Sequence, residues 1–311
     1  MNRLIAQRWE LDERIGRGAM GEVWSGVDRA NGQPVAVKIA RGMASRDPEL
    51  VARFEREGKL ISRLKTPFVC GVVGHGRTEE AEPYMVMERL VGETLEALLE
   101  REGYLPLAET AKIADEILQG LVVAHDAGIV HRDLSPSNVF LHRRADKRTI
   151  TKILDFGIAK AAKTDDGDAP RTGKRTTMGS LAYAAPEQLG DSAKAGPRAD
   201  LYAVGTIVFR ALSGQLPYGT AKGTNLIVLK KEHDPPSIDE ITGETWPASV
   251  STFLARTMAR VTAKRYASAE IALAALREVS RKKSPALAMP ERPADRTPTL
   301  TIDDHQRRAR R

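Results

Sequence analysis

The chain has 311 residues, 41% of them hydrophobic and 29% charged, with a formal net charge of +7 and a single cysteine, Cys70. Such a composition suits a globular protein with one large or two modest cores, and the lone cysteine excludes both a disulfide framework and a zinc site built from several thiolates. No run approaches the roughly 18 uncharged apolar residues of a membrane span, and the first residues lack a signal peptide's apolar stretch, so a cytoplasmic protein is expected. In chain order, residues from about Trp9 to Met87 read as strands with one helix, and residues from about Gly92 to Ser280 read mainly as helices. That asymmetry predicts two lobes. Gly16-Arg17-Gly18-Ala19-Met20-Gly21-Glu22-Val23 has the spacing G-x-G-x-x-G-x-V, in which glycines let the backbone approach nucleotide phosphates. A dinucleotide-binding reading requires a helix directly afterwards, whereas Glu22 to Val27 looks like a strand, so the loop is predicted to join two strands of a hairpin.

Val35-Ala36-Val37-Lys38-Ile39 sets a charge among β-formers, as a half-buried strand does. Asp47-Pro48 then offers an N-cap and a first-turn proline to a helix with Leu50, Phe54, Ile61 and Leu64 on its apolar face. Glu57 lies on that face, whereas the competing acid Glu55 points elsewhere. Tyr84-Met85-Val86-Met87 reads as a strand running into Glu88-Arg89-Leu90-Val91-Gly92, a hinge candidate between the lobes. A long helix is predicted from about Leu107 to Ala127, with Ile113, Ile117, Leu121 and Ala124 in register. Two short strands, Asn138 to Leu141 and Thr151 to Leu154, would form a hairpin bringing Asn138 and Asp155 together at one edge. From Arg281 to Arg311, nine Lys/Arg stand against four acids and four prolines interrupt any apolar period, so a disordered, solvated tail is expected. Nucleic-acid or membrane docking by this tail is the lesser reading.

The most specific string is His131-Arg132-Asp133-Leu134-Ser135-Pro136-Ser137-Asn138 followed by Asp155-Phe156-Gly157. An Asp, an Asn five positions on and a further Asp beyond a hairpin suit two divalent ions and a hydroxyl nucleophile. Together with the glycine loop, Lys38 and Ala185-Pro186-Glu187, it resembles the eukaryotic-type (Hanks-type) Ser/Thr protein kinase family, most of all its bacterial branch. The resemblance covers about residues 9 to 278. It implies an α+β bilobal protein-kinase fold: a small β-rich N-lobe with one main helix (about 9–90), a larger mainly helical C-lobe (about 91–278), an extension at 1–8 and a tail at 279–311. It also implies ATP between the lobes with Mg²⁺, or Mn²⁺, as the metal, and protein Ser/Thr hydroxyls as acceptors.

By the same resemblance, Asp133 orients the acceptor hydroxyl and takes its proton, Lys38 holds the α- and β-phosphates, and Glu57 is the acid that would pair with Lys38. Asn138 and Asp155 would hold the metal ions. The nucleotide site would be lined by Ile15, Gly16, Arg17, Gly18, Ala19, Met20, Gly21, Val23 and Ala36, with backbone hydrogen bonds near Glu88 and Leu90 and with Met87 at the back. Arg132 suggests control by phosphorylation of an activation segment, in which Thr172, Thr176 and Thr177 are phosphosite candidates and Ser180 belongs to the peptide platform. Asp200 would anchor the catalytic loop and Arg265 would pair with Glu187. Expected partners are protein substrates, with a kinase homodimer and a phosphothreonine reader for Thr297 or Thr299 as further candidates. One position departs from the family pattern: Ser135 stands where Ser/Thr kinases commonly carry a phosphate-contacting Lys, which keeps open a nucleotide-binding pseudokinase that acts as a scaffold or regulator.

Overall fold

The structure, a computed structural model, describes residues 3–18, 21–42, 45, 47–156, 180–189 and 195–281. Its first part is a six-stranded antiparallel sheet in the order β1-β2-β3-β4-β6-β5. The strands are β1 (Leu4–Ile5), β2 (Trp9–Gly18), β3 (Gly21–Asp28), β4 (Gln33–Ala40), β5 (Val72–Arg77) and β6 (Pro83–Glu88). β2 and β3 pair as far as Gly18 opposite Gly21, so the glycine loop closes a β-hairpin. The residues before Trp9 join this sheet: Leu4 and Ile5 pair with Glu10 and Trp9, and Ile5 is buried with Trp9, Leu11, Val35, Val37, Ile39, Tyr84 and Val86.

Helix α1 (Pro48–Ile61) lies against the sheet through Phe54 and Gly58, one turn apart on one face, while Ile61 near its end is buried with the core of the second part. A side chain at Gly58 would meet His75 and Met85 at 3.3 Å, so the glycine lets α1 approach β5 and β6 closely. Leu64, read from the sequence as part of the helical face, lies beyond the end of α1.

The second part is helical apart from a three-stranded sheet, β7 (Gly92–Thr94), β8 (Val139–Arg143) and β9 (Thr149–Ile153). Its helices are α2 (Leu95–Glu102), α3 (Leu107–Asp126), α4 (Ser180–Tyr183), α5 (Pro197–Ser213), α6 (Gly223–Glu232), α7 (Ile238–Thr242), α8 (Ala248–Thr257) and α9 (Ala269–Arg281). α5 is buried on nearly every side, which its apolar run from Leu201 to Leu212 permits, and α3, α4, α7, α8 and α9 pack against it. The two parts are tied by main-chain bonds from Cys70 N–H to Ile153 O (2.9 Å) and from Ile153 N–H to Phe68 O (2.8 Å). Among the described residues, no helix is long and apolar enough to cross a membrane.

Candidate active site

The catalytic-loop candidate is held from below by α5. Asp200, in the first turn of that helix and 1% exposed, accepts the backbone N–H groups of His131 and Arg132, each at 2.8 Å. His125 Nε2 lies 2.8 Å from the same carboxylate. A helix N-terminus suits such an anion because its free N–H groups carry partial positive charge. Arg132 sits at φ 63°, a left-handed conformation uncommon for a side-chain-bearing residue, and the two bonds to Asp200 bracket it. Asp133 N–H donates to His131 Nδ1 (3.2 Å), which leaves the ring proton on Nε2 to be donated to Leu154 O (2.9 Å). Through this fully buried imidazole, whose ring also packs 4.8 Å from that of Phe156, the loop bearing Asp133 and the strand end bearing Asp155 are registered against each other.

Asn138 closes the loop. Its side-chain Nδ2 donates to Asp133 O at 2.8 Å, its own N–H to Ser135 O at 2.9 Å, and its carbonyl accepts from Leu154 N–H at 2.8 Å. The amide Oδ1 is therefore the atom that Asn138 can offer to a cation. The 138–141 and 151–154 strands thus form the expected hairpin, with Asn138 and Asp155 at one end of it.

Lys38 lies mid-strand in β4, opposite Val23 on one side and Met85 on the other. Its Nζ forms an ion pair with Asp155 Oδ1 at 2.8 Å. Here the structure differs from the expected pairing with Glu57, to which no hydrogen bond or ion pair closes among the described residues. Glu57 is 7% exposed, and burial raises its pKa to about 8, with Lys38 opposing and Asp155 adding to the rise. The half-exposed Asp155 is the acid that carries its charge beside the Lys38 amine. Burial still works against that charge, but the Lys38 ammonium more than offsets it and holds the carboxyl below the ordinary range. For Lys38, burial is likewise outweighed by Asp155 and Glu57, so its pKa is raised. Glu55, the rejected alternative, bonds outward to Arg77 at 2.7 Å.

Of the apolar residues expected to line the nucleotide site, Ala36 and Leu90 are 7% exposed, Val23 is half-buried and Ile15 is 39% exposed. Gly21 has φ 146°, and a Cβ there would fall 1.9 Å from Ile39 O, so only glycine fits. Gly18 faces open space, leaving room over the strand. At the hinge, Glu88 N–H is bound to Gly71 O at 2.9 Å, so Glu88 has only its carbonyl to offer a nucleotide base. The Glu88 side chain accepts from Lys152 Nζ (2.6 Å) and Gly71 N–H (2.7 Å). Sequence reasoning missed this ion pair, although the charged Lys152 at an inward position of β9 was a signal for it.

A model of the family described as "Protein kinase domain" matches residues 9–275. The chain belongs to the protein kinase family. The serine/threonine-protein kinase pkn3 of Myxococcus xanthus is 33% identical over 303 residues, covering 96% of this chain and 55% of that protein. Serine/threonine-protein kinase PknA of Mycobacterium tuberculosis is 34% identical over 271 residues, covering 85% of this chain and 59% of that protein. The chain therefore spans somewhat over half the length of these relatives. The PknI kinase domain of M. tuberculosis superposes with a TM-score of 0.68 at 23% identity, covering 89% of this chain and 98% of that one, a likeness of fold.

Two further kinase features are formed as expected. Arg265, with its side chain fully buried, makes a bidentate pair with Glu187 at 2.7 and 2.8 Å and also donates to Ala259 O and Arg198 O. Asp200 anchors the catalytic loop as described above. Ser135, at the position of the usual kinase Lys, is 5% exposed and its Oγ lies 2.9 Å from Ser137 Oγ, so this short hydroxyl is engaged within the loop. Gln188 was missed: it accepts from Ala185 N–H at 2.8 Å and donates to Arg132 O at 2.7 Å, linking the Ala185-Pro186-Glu187 motif to the catalytic loop. Ala19, Met20, Thr172, Thr176, Thr177, Lys160 and the tail with Thr297 and Thr299 lie outside the described residues, as does the side chain of Ser180.

Proposed function

We propose that this chain is an ATP-dependent protein serine/threonine kinase whose acceptors include its own activation segment. The observation that carries the reading is the convergence of Lys38, Asp155, Asn138 and Asp133 on one cleft edge, tied by the 2.8 Å Lys38–Asp155 pair and the 2.8 Å Asn138–Asp133 bond. The donor set fits Mg²⁺: one carboxylate, Asp155, with one amide oxygen, Asn138 Oδ1, is the sparse protein ligation that leaves room for phosphates and waters. Among the described residues no cluster of three or more His, Cys, Asp or Glu competes as a metal cage. When bound, the metal neutralises charge on the β- and γ-phosphates.

In this reading ATP's adenine lies between Ala36, Val23 and Leu90, with the Glu88 carbonyl accepting from its amino group. Lys38 leaves Asp155 to hold the nontransferred phosphates. Asp133 accepts the proton of a Ser or Thr hydroxyl as that oxygen bonds to the γ-phosphorus, and the bond from phosphorus to the β–γ bridging oxygen breaks to release ADP. The relatives named serine/threonine-protein kinases support the acceptor class.

A second reading is favoured by Ser135, whose buried hydroxyl supplies no cation to the γ-phosphate: a nucleotide-binding regulator without transfer. Intact-mass spectrometry of phosphatase-treated protein with Mg²⁺ and ATP separates the two. Phosphate addition over time that Asp133→Asn abolishes supports the kinase. Nucleotide binding with no addition, reversed by Ser135→Lys, supports the regulator.

A further inference from the structure

Lys230 is fully buried, and among the described residues no carboxylate lies within ion-pair distance of it. It follows Leu229 on the buried stripe of α6 and lies one turn after Leu226. Its Nζ donates to three main-chain carbonyls of one short segment: Leu181 O at 3.1 Å, Ala182 O at 2.6 Å and Ala184 O at 2.7 Å. An ammonium has three N–H donors, so these bonds saturate it. Beside them, Tyr218, Leu226 and Leu229 form an apolar cluster on which Leu181 and Ala221 pack. Segment 181–184 is thus seated on α6 by a charge and an apolar patch together. It runs directly into Ala185, whose N–H is held by Gln188, which in turn holds the carbonyl of Arg132 beside Asp133. A bonded path therefore leads from Lys230 to the catalytic loop.

We propose that Lys230 is the positioning residue of the acceptor platform, its ammonium setting where a protein acceptor lies relative to Asp133. The proposal rests on the kinase reading above. A neutral amine has two N–H donors and a lone pair, so loss of the proton leaves at least one of the three carbonyls unpaired. The pKa of Lys230 is lowered to about 7, chiefly by burial, with Arg265 contributing to the fall and Glu187 opposing it. The Tyr202 ring of α5 lies 5.0 Å from Nζ and is shared with the Arg265 guanidinium. The platform should therefore loosen as pH rises through neutrality.

The test is steady-state phosphorylation of dephosphorylated casein by the full chain. From about pH 6 to about pH 8.5 the KM for casein should rise about tenfold, the loss typical of a charged hydrogen-bond partner, while the KM for ATP changes by less than about twofold. Lys230→Met should show the higher casein KM at both pH values. A flat casein KM in the parent chain, or an ATP KM that rises in parallel, overturns the proposal, and neither result requires the variant to fold. A readout independent of transfer is hydrogen exchange of the 181–189 segment, which should be faster in Lys230→Met than in the parent at about pH 6 and nearly equal at about pH 8.5. Equal exchange at both overturns the anchor; a parent that transfers no phosphate yet shows the expected exchange difference overturns the kinase reading instead.

Discussion

Asp200→Asn is the sharpest test of how the catalytic loop is held. The substitution keeps shape and removes charge. In the native site the carboxylate, 1% exposed, accepts two backbone N–H bonds of 2.8 Å from His131 and Arg132. Bonds to a charged acceptor contribute about 1.5–3 kcal/mol each, and a neutral replacement about 1 kcal/mol. An amide can accept only through its oxygen, so one N–H would face the NH2 group unpaired, and the net loss is about 3 kcal/mol. Part of that loss would be recovered if Arg132 relaxes from its φ of 63°. Such relaxation would move Asp133, the next residue. The expected outcome is therefore a fall in urea-unfolding free energy of about 3 kcal/mol together with a fall in kcat larger than any change in the KM for ATP. A stability change below about 1 kcal/mol with unchanged kcat would refute the view that Asp200 holds the loop's geometry.

Three other perturbations have defined outcomes. Gly21→Ala should cost at least about 1–3 kcal/mol in strain and weaken ATP binding in calorimetry, because the new Cβ meets Ile39 O and displaces the glycine hairpin. Glu57, with its pKa raised to about 8, stabilises the fold fully below the ordinary Glu value and progressively less as pH rises through about 8. Glu57→Gln should therefore gain stability relative to the parent between about pH 5 and about pH 8, measured by urea unfolding at each pH; a constant difference would contradict the burial argument. Lys152→Met should lower stability by about 1–3 kcal/mol, since Glu88 keeps Gly71 N–H but loses its cation, and should weaken nucleotide binding at the hinge.

Much of the site was legible in order along the chain because its chemistry is carried by short strings with strict local demands. The hairpin between Asn138 and Asp155 followed from two β-rich runs, and the glycine loop was read as a strand connection because Glu22 to Val27 has no helical character. The Arg265–Glu187 and Asp200 anchors were legible only through family resemblance, since nothing local marks residues so distant in sequence as partners. The Lys38 pairing was misjudged. Sequence spacing placed Glu57 on the buried face of α1, but spacing does not encode that Asp155, from a distant segment, comes within 2.8 Å of the amine.

Lys152 and Lys230 show the same limit from the other side. Each occupies a register position that period alone assigns to the interior, yet a lysine in a soluble chain reads as surface charge unless its acceptors are known. By itself the sequence pointed to two lobes and, through motifs that resemble a known family, to the residues proposed here for phosphoryl transfer, because periodicity and motif spacing are local properties of the chain. Only the tertiary structure decided that Lys38 pairs with Asp155, that Glu88 pairs with Lys152 and that Lys230 closes on three carbonyls, because burial and partner geometry arise when distant segments meet.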